Sequence, residues 1–261
     1  MSETSGEYVE AHYIGMEIIW GEGYMSPGGD DEVAQVVDGI DIAGKTVLEI
    51  GSGLGGSAVA LAVNHDPDRV ISTDIQKEQI ERATRLAERR GLSDRVEFRL
   101  VDPGLLPFAD ESFDVVFSMG TLVQIPDKPA LFAEIFRVLR PGGALAANDW
   151  LRERPLPLSD ELVSYIERVG LTYHWASPAE THDAIAGAGF VDIALSDRAA
   201  WFADRLGEEI AKLESGPMRA EMIQAFDEET TEGWLRSWRQ TESFARQKEI
   251  CVTHIRATKV A

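Results

Sequence analysis

The chain has 261 residues, 44% of them hydrophobic, enough for one sizeable core with a cap. Its 25 Lys and Arg stand against 45 Asp and Glu, a formal charge of −20 that repels phosphate backbones, argues against nucleic acid as a partner and suits a small cationic or amine ligand. A single cysteine, Cys251, leaves no disulfide framework or cysteine metal site, and no run of about 18 apolar residues offers a membrane span, so a soluble cytoplasmic protein is expected.

Residues 8–29 form an aromatic, glycine-rich lead-in, and residues 31–40 read as a helix. From residue 45 a regular alternation begins. Short β-type runs at 45–50 (KTVLEI), 69–73 (RVIST), 95–101, 113–118 (FDVVFS) and 143–148 are separated by helical stretches at 57–63, 76–90 and 128–139. Strand and helix in such order call for a parallel sheet covered on both faces. Beyond residue 149 the rhythm changes to helices at 160–170 and 177–188, a strand at 190–196, a mostly helical stretch at 202–247 and a last strand at 250–258. The expected fold is therefore α/β, a Rossmann-like seven-stranded, mostly parallel sheet with helices on both faces. Residues 1–44 would cover the site, 45–149 would form the cofactor-binding core, and 150–261 would supply cap helices, an inserted lid and the last two strands.

Between the first strand and its helix lies Glu49-Ile-Gly51-Ser-Gly53-Leu-Gly55-Gly56. Glycines let the backbone turn tightly and approach a ligand, and the following helix presents free N–H groups. Read as G-x-G-x-x-G, with Asp74 about twenty residues on, the motif does not separate a nicotinamide dinucleotide from S-adenosylmethionine. The acid before the glycines, Asp102 after the third strand and Leu139-Arg-Pro-Gly-Gly143 before the fifth together resemble class I methyltransferases over residues 45–148. The resemblance implies S-adenosyl-L-methionine as cofactor, Gly51, Gly53 and Gly55 around its methionine part, Asp74 on the ribose hydroxyls, Ile75 on adenine and Asp102 on the adenine amine, with Glu49 and Met119 completing the site. A carboxylate is a natural acceptor for a vicinal diol, and an uncharged glycine loop suits a sulfonium ligand that carries no phosphate.

Tyr8 and the run from Glu17 to Gly29 resemble the N-terminal segment of phosphoethanolamine N-methyltransferases. That resemblance implies a pocket lined by Tyr8, Tyr24, Met25 and Ser26, with Ser26 near the cofactor carboxylate. Those enzymes carry a catalytic histidine in the turn after the fourth strand, an acid nearby and a tyrosine after the fifth strand. Here the matching residues are Gln124, Gly120 and Trp150, and the family's phosphate-binding Arg and Tyr are matched only loosely, by Arg168 and Tyr173, which favours a non-phosphorylated acceptor. Tyr8, Gln124 and His174 are the candidates to orient an amine, and of these His174 is the candidate to take its proton. Trp20, Trp150, Tyr173 and Trp175 are candidates for an aromatic wall facing a cationic product, whereas Trp201, Trp234 and Trp238 read as core or lid contacts. The five histidines lack metal-ligand spacing, so no metal is expected. A small-molecule methyltransferase acting on an amine nitrogen is the leading expectation. Oxygen, carbon or sulfur acceptors, a nicotinamide-dependent oxidoreductase and a non-catalytic cofactor-binding module remain alternatives.

Overall fold

The computed structural model describes residues 10–170 and 172–260. Its sheet has seven strands in the order β3-β2-β1-β4-β5-β7-β6. The strands are β1 (Thr46–Ile50), β2 (Arg69–Asp74), β3 (Val96–Leu100), β4 (Phe113–Met119), β5 (Leu139–Leu151), β6 (Phe190–Asp197) and β7 (Cys251–Lys259). The first five are parallel, and β7 enters antiparallel between β5 and β6. The chain order reverses at β1, where β2 leaves on one side and β4 on the other, so a crevice opens beyond the carboxyl ends of these strands.

Alternation along the strands buries both faces. Val47 and Val115 pack with Val36, Ala58 and Leu61 of helices α2 (Gly29–Val37) and α3 (Gly56–Asn64), while α4 (Lys77–Arg89) joins the same side through Ala87. Leu48 and Val116 face the other way, onto Phe132 and Ile135 of α5 (Lys128–Val138) and Ile185 of α7 (Pro178–Gly187). A third apolar cluster lies apart from the sheet centre. It joins α1 (Glu10–Trp20), α6 (Asp160–Val169), α8 (Ala199–Glu214), α9 (Pro217–Ala225) and α10 (Glu228–Arg246) through Ile19, Leu162, Phe202, Leu206, Met222 and Trp238.

Two elements differ from the sequence expectation. The lead-in contains a full helix, α1, whose Gly15 and flanking glycines conceal its apolar spacing. A Cβ on Gly15 would lie 2.4 Å from the Trp234 ring, so the glycine is there for close packing against α10. β5 runs from Leu139 to Leu151, longer than the six residues expected, because pairing with β7 continues to Leu151↔Cys251. Helix α2 is fixed to the sheet by the buried Glu32, which accepts from Asn148 Nδ2 (2.7 Å) and Arg198 (2.9 Å) and lies 2.6 Å from His254 Nε2. Among the described residues no helix is long and apolar enough to cross a membrane.

Candidate active site

A cleft of about 1640 Å³ opens at the carboxyl ends of β1, β2, β3 and β4 and continues under α1, α8 and α10. Its floor begins at the glycine loop after β1. Gly51 has φ +86, a left-handed conformation, and a Cβ there would sit 1.9 Å from Thr121 Oγ1, so no side chain fits. The loop is held over the end of β2, because Gly51 and Ser52 N–H donate to Thr73 O and Gly53 N–H donates to Asp74 Oδ2 at 3.1 Å. Asp74 Oδ1 accepts from Gln76 N–H at 3.0 Å. Burial pushes the Asp74 carboxyl above its ordinary value, and these backbone donors oppose that rise.

Ile75 and Asp102 line the cleft beside Asp74. Ile75 is 56% exposed, a bare apolar face beside a carboxylate at the end of a strand. On the opposite side the segment before α2 closes over the loop. Gly56 N–H donates to Gly23 O at 2.9 Å, and the Met25 sulfur would lie 3.2 Å from a Cβ on Gly53. Ser26 lies against Gly120, and Tyr24, which also lines the cleft, donates its hydroxyl to Asp30 at 2.5 Å. Met119 closes the end of β4, its sulfur accepting from Ser57 Oγ at 3.6 Å.

Farther along the cleft stand Gln124, Trp150 and Tyr173. Gln124 ends a single 3-10 turn, Leu122–Gln124, directly after β4. Trp150 stacks with Tyr173 at 6.0 Å between centroids, and Tyr173 with Trp175 at 5.1 Å. Trp20 lines a separate wall with Trp234 and Trp238.

Four expected site residues stand apart from this lining. Glu49 turns its carboxyl under the sheet, accepting from Ser72 Oγ at 2.5 Å, and burial pushes its pKa up to about 8. The Cα of Gly55 faces α4 and β3, where a Cβ would meet Ala83 at 2.9 Å and Phe98 at 3.0 Å, so this glycine serves helix packing. The side chain of His174 is exposed, and its contribution is a backbone N–H donated to Val123 O at 2.8 Å, which tethers the segment to the turn carrying Gln124. Trp175 is the outer ring of the stack, behind Tyr173. Tyr8 falls outside the described residues. Trp234 and Trp238, expected as core or lid contacts, pack in the third apolar cluster and also line the cleft, and Glu209, which bonds Trp238, has no role assigned from the sequence. Its signal was present in the sequence, for Glu209 occupies the apolar stripe of α8 formed by Phe202, Leu206, Ile210 and Leu213.

The methyltransferase domain family matches residues 42–184, more than half of the chain. The chain belongs to that family. Among curated relatives, phosphoethanolamine N-methyltransferase 1 of Triticum aestivum is 32% identical over 232 residues, covering 87% of this chain and 45% of its own length. Arsenite methyltransferase of Halobacterium salinarum is 34% identical over 201 residues, covering 68% of this chain and 51% of its own. The chain thus spans about half the length of these relatives. Among solved structures, phosphoethanolamine N-methyltransferase 2 of Haemonchus contortus, in complex with phosphomonomethylethanolamine and S-adenosylhomocysteine, superposes with a TM-score of 0.88 at 24% identity, covering 97% of this chain and 59% of that one. That likeness places the fold of this chain, including its cap and last strands, in one architecture with that protein.

Proposed function

We propose that this methyltransferase uses S-adenosylmethionine to methylate the nitrogen of a small, non-phosphorylated amine. The observation that carries the reading is one continuous cleft that joins the glycine loop, Asp74, Ile75 and Asp102 to an aromatic-walled chamber. The loop fits the cofactor, because Gly51 has no room for a side chain, Gly53 holds a left-handed φ of +49 under Met25, and the segment from Gly51 to Gly56 carries no charge. Asp74 would hold the ribose hydroxyls, Ile75 the adenine face and Asp102 its amine, while Met25 and Ser26 cover the methionine part. When bound, the cofactor supplies an electrophilic methyl group on a sulfonium sulfur.

The chain's own task is alignment and exclusion of water. The Gln124 amide oxygen accepts from an amine N–H and turns the nitrogen lone pair toward the donor, and since an amide takes no proton the amine must arrive neutral. Trp150 and Tyr173 exclude water from the acceptor. Of the three arginines on the lining, Arg168 donates to Gln240 and lies over Tyr165, and Arg239 pairs with Glu214. Arg236, like Arg168, has no ion pair among the described residues. The free, buried Cys251 accords with the reducing cytoplasm we assign to the protein.

Calorimetric titration with S-adenosylhomocysteine beside NAD, followed by methyl transfer to a panel of amines, tests the reading. Micromolar binding of the first ligand, none of the second, and turnover with an amine is the expected result. Binding of NAD alone would overturn it.

A further inference from the structure

Three indoles line the part of the cleft beneath α1 and α10: Trp20, Trp234 and Trp238. Trp20 and Trp238 have ring centroids 5.4 Å apart, and Trp234 and Trp238 5.1 Å apart. Gly15 is what admits the Trp234 ring against α1. Behind the indoles lies Glu209 of α8, only 3% exposed. Its two oxygens are divided between the rings: Trp20 Nε1 donates to Oε1 at 3.0 Å and Trp238 Nε1 to Oε2 at 2.8 Å.

This is an expensive way to pack a core. A buried carboxylate without a cationic hydrogen-bond partner is destabilising, and glutamine or an apolar residue would fill the space with less penalty. The basic groups that act on Glu209, Arg205 and Lys212, lie on its own helix, do so only at a distance, and Arg205 is paired with Glu208. Burial pushes the carboxyl up to about 7, while the indole donors hold it down. An anionic acceptor on an indole N–H enriches the electron density of the ring, and the negative charge behind the ring adds its own attraction for a cation in front. Both effects favour a cation against this wall over a neutral group of the same shape.

We infer that the Trp20–Trp234–Trp238 wall, backed by Glu209, is a subsite for a methylated ammonium group. The inference rests on the methyltransferase reading and deepens it. Each methyl added to nitrogen removes an N–H donor and adds apolar surface, so a hydrogen-bonding site loses hold of the ligand as methylation proceeds while an aromatic wall gains it. The acceptor class is therefore an amine that ends as, or already carries, a tertiary or quaternary ammonium.

The test is calorimetric titration of the full chain, saturated with S-adenosylhomocysteine, with choline and with its neutral isostere 3,3-dimethylbutan-1-ol. Choline should bind at least about tenfold more tightly than the isostere. Trp234→Leu should weaken choline about tenfold, and Glu209→Gln several-fold, with S-adenosylhomocysteine affinity retained in both. Trp234→Phe, a smaller change that keeps a ring on α10, should recover part of the loss and guards against misfolding of the leucine variant. Equal binding of choline and isostere, no binding of choline up to millimolar concentration, or unchanged choline affinity in Trp234→Leu overturns the subsite. Failure of S-adenosylhomocysteine to bind the unaltered protein would instead strike the methyltransferase reading, so the two failures are told apart.

Discussion

Each end of the cleft rests on a buried glutamate, and the two are used differently. Glu49 lies under the glycine loop, fully enclosed in the sheet, with a neutral serine hydroxyl as its side-chain donor. Glu209 lies under the acceptor wall and holds two indole N–H groups whose rings form that wall. The first fixes β1 against β2 and has no line to the ligand. The second transmits its charge through the rings it orients. A buried acid is therefore informative about function only when its partners themselves face the cavity.

The strongest test of this division falls on Asp74, an acid that, unlike Glu49, lines the cavity at the donor end. Asp74→Ala should weaken S-adenosylhomocysteine binding by about 100-fold, the loss of two charge-assisted hydrogen bonds, while choline binding to the far wall changes little. Near-normal cofactor affinity by calorimetry would remove Asp74 from the site. Next comes Gly51→Ala, where a methyl group would press on Thr121 at φ +86. The unfolding equilibrium constant should rise about 30-fold, roughly 2 kcal/mol, in urea denaturation. An unaffected midpoint would mean that the loop relaxes freely, and that the donor end is less rigid than the geometry requires.

Glu49 supplies a test by pH. Its folded pKa of about 8 stands above the ordinary 4.5 because burial disfavours the charged form. Between those values the unfolded chain has lost the proton that the folded chain keeps, so stability falls as pH rises through the window and is level on either side. Glu49→Gln removes that titration. The variant should gain on the unaltered protein by about tenfold in the unfolding constant, about 1.4 kcal/mol, per pH unit from about 4.5 to about 8. A difference independent of pH would show that Glu49 is ionised in the fold.

The two ends also differ in how far they could be read from the sequence. The donor end is assembled from the ends of consecutive strands, so Gly51, Gly53 and Asp74 follow from the alternation of strand and helix and from one spaced motif, and Ile75 and Asp102 from the resemblance to class I methyltransferases. Sheet topology carries them to a common crevice without further information. The acceptor wall joins Trp20 to Trp238 across 218 positions, through helices whose mutual packing no local pattern encodes. The indoles of α10 lie at i and i+4 on one face, which marks a packed stripe but does not say whether a core or a cavity lies opposite. At His174 the imidazole points to site chemistry in the sequence, whereas the fold engages its backbone N–H. Helix α1 was hidden by glycines that its own contacts require.

The smallest expected effect concerns Gln124, which stands between the two ends. Its amide is neutral, it occupies the cleft lining at the close of the turn after β4, and no side-chain hydrogen bond engages it among the described residues. It is thus free to meet a ligand. If its role is to turn an amine toward the donor, Gln124→Ala should lower kcat about fivefold, leave S-adenosylhomocysteine affinity intact and leave choline binding at the tryptophan wall intact. Gln124→Glu should instead raise the apparent pKa of the rate profile by favouring the protonated, unreactive amine, so its activity recovers only at higher pH. Unchanged turnover in the alanine variant, read by product formation at saturating cofactor, would mean that the aromatic surfaces alone orient the acceptor and that the turn after β4 is a spacer.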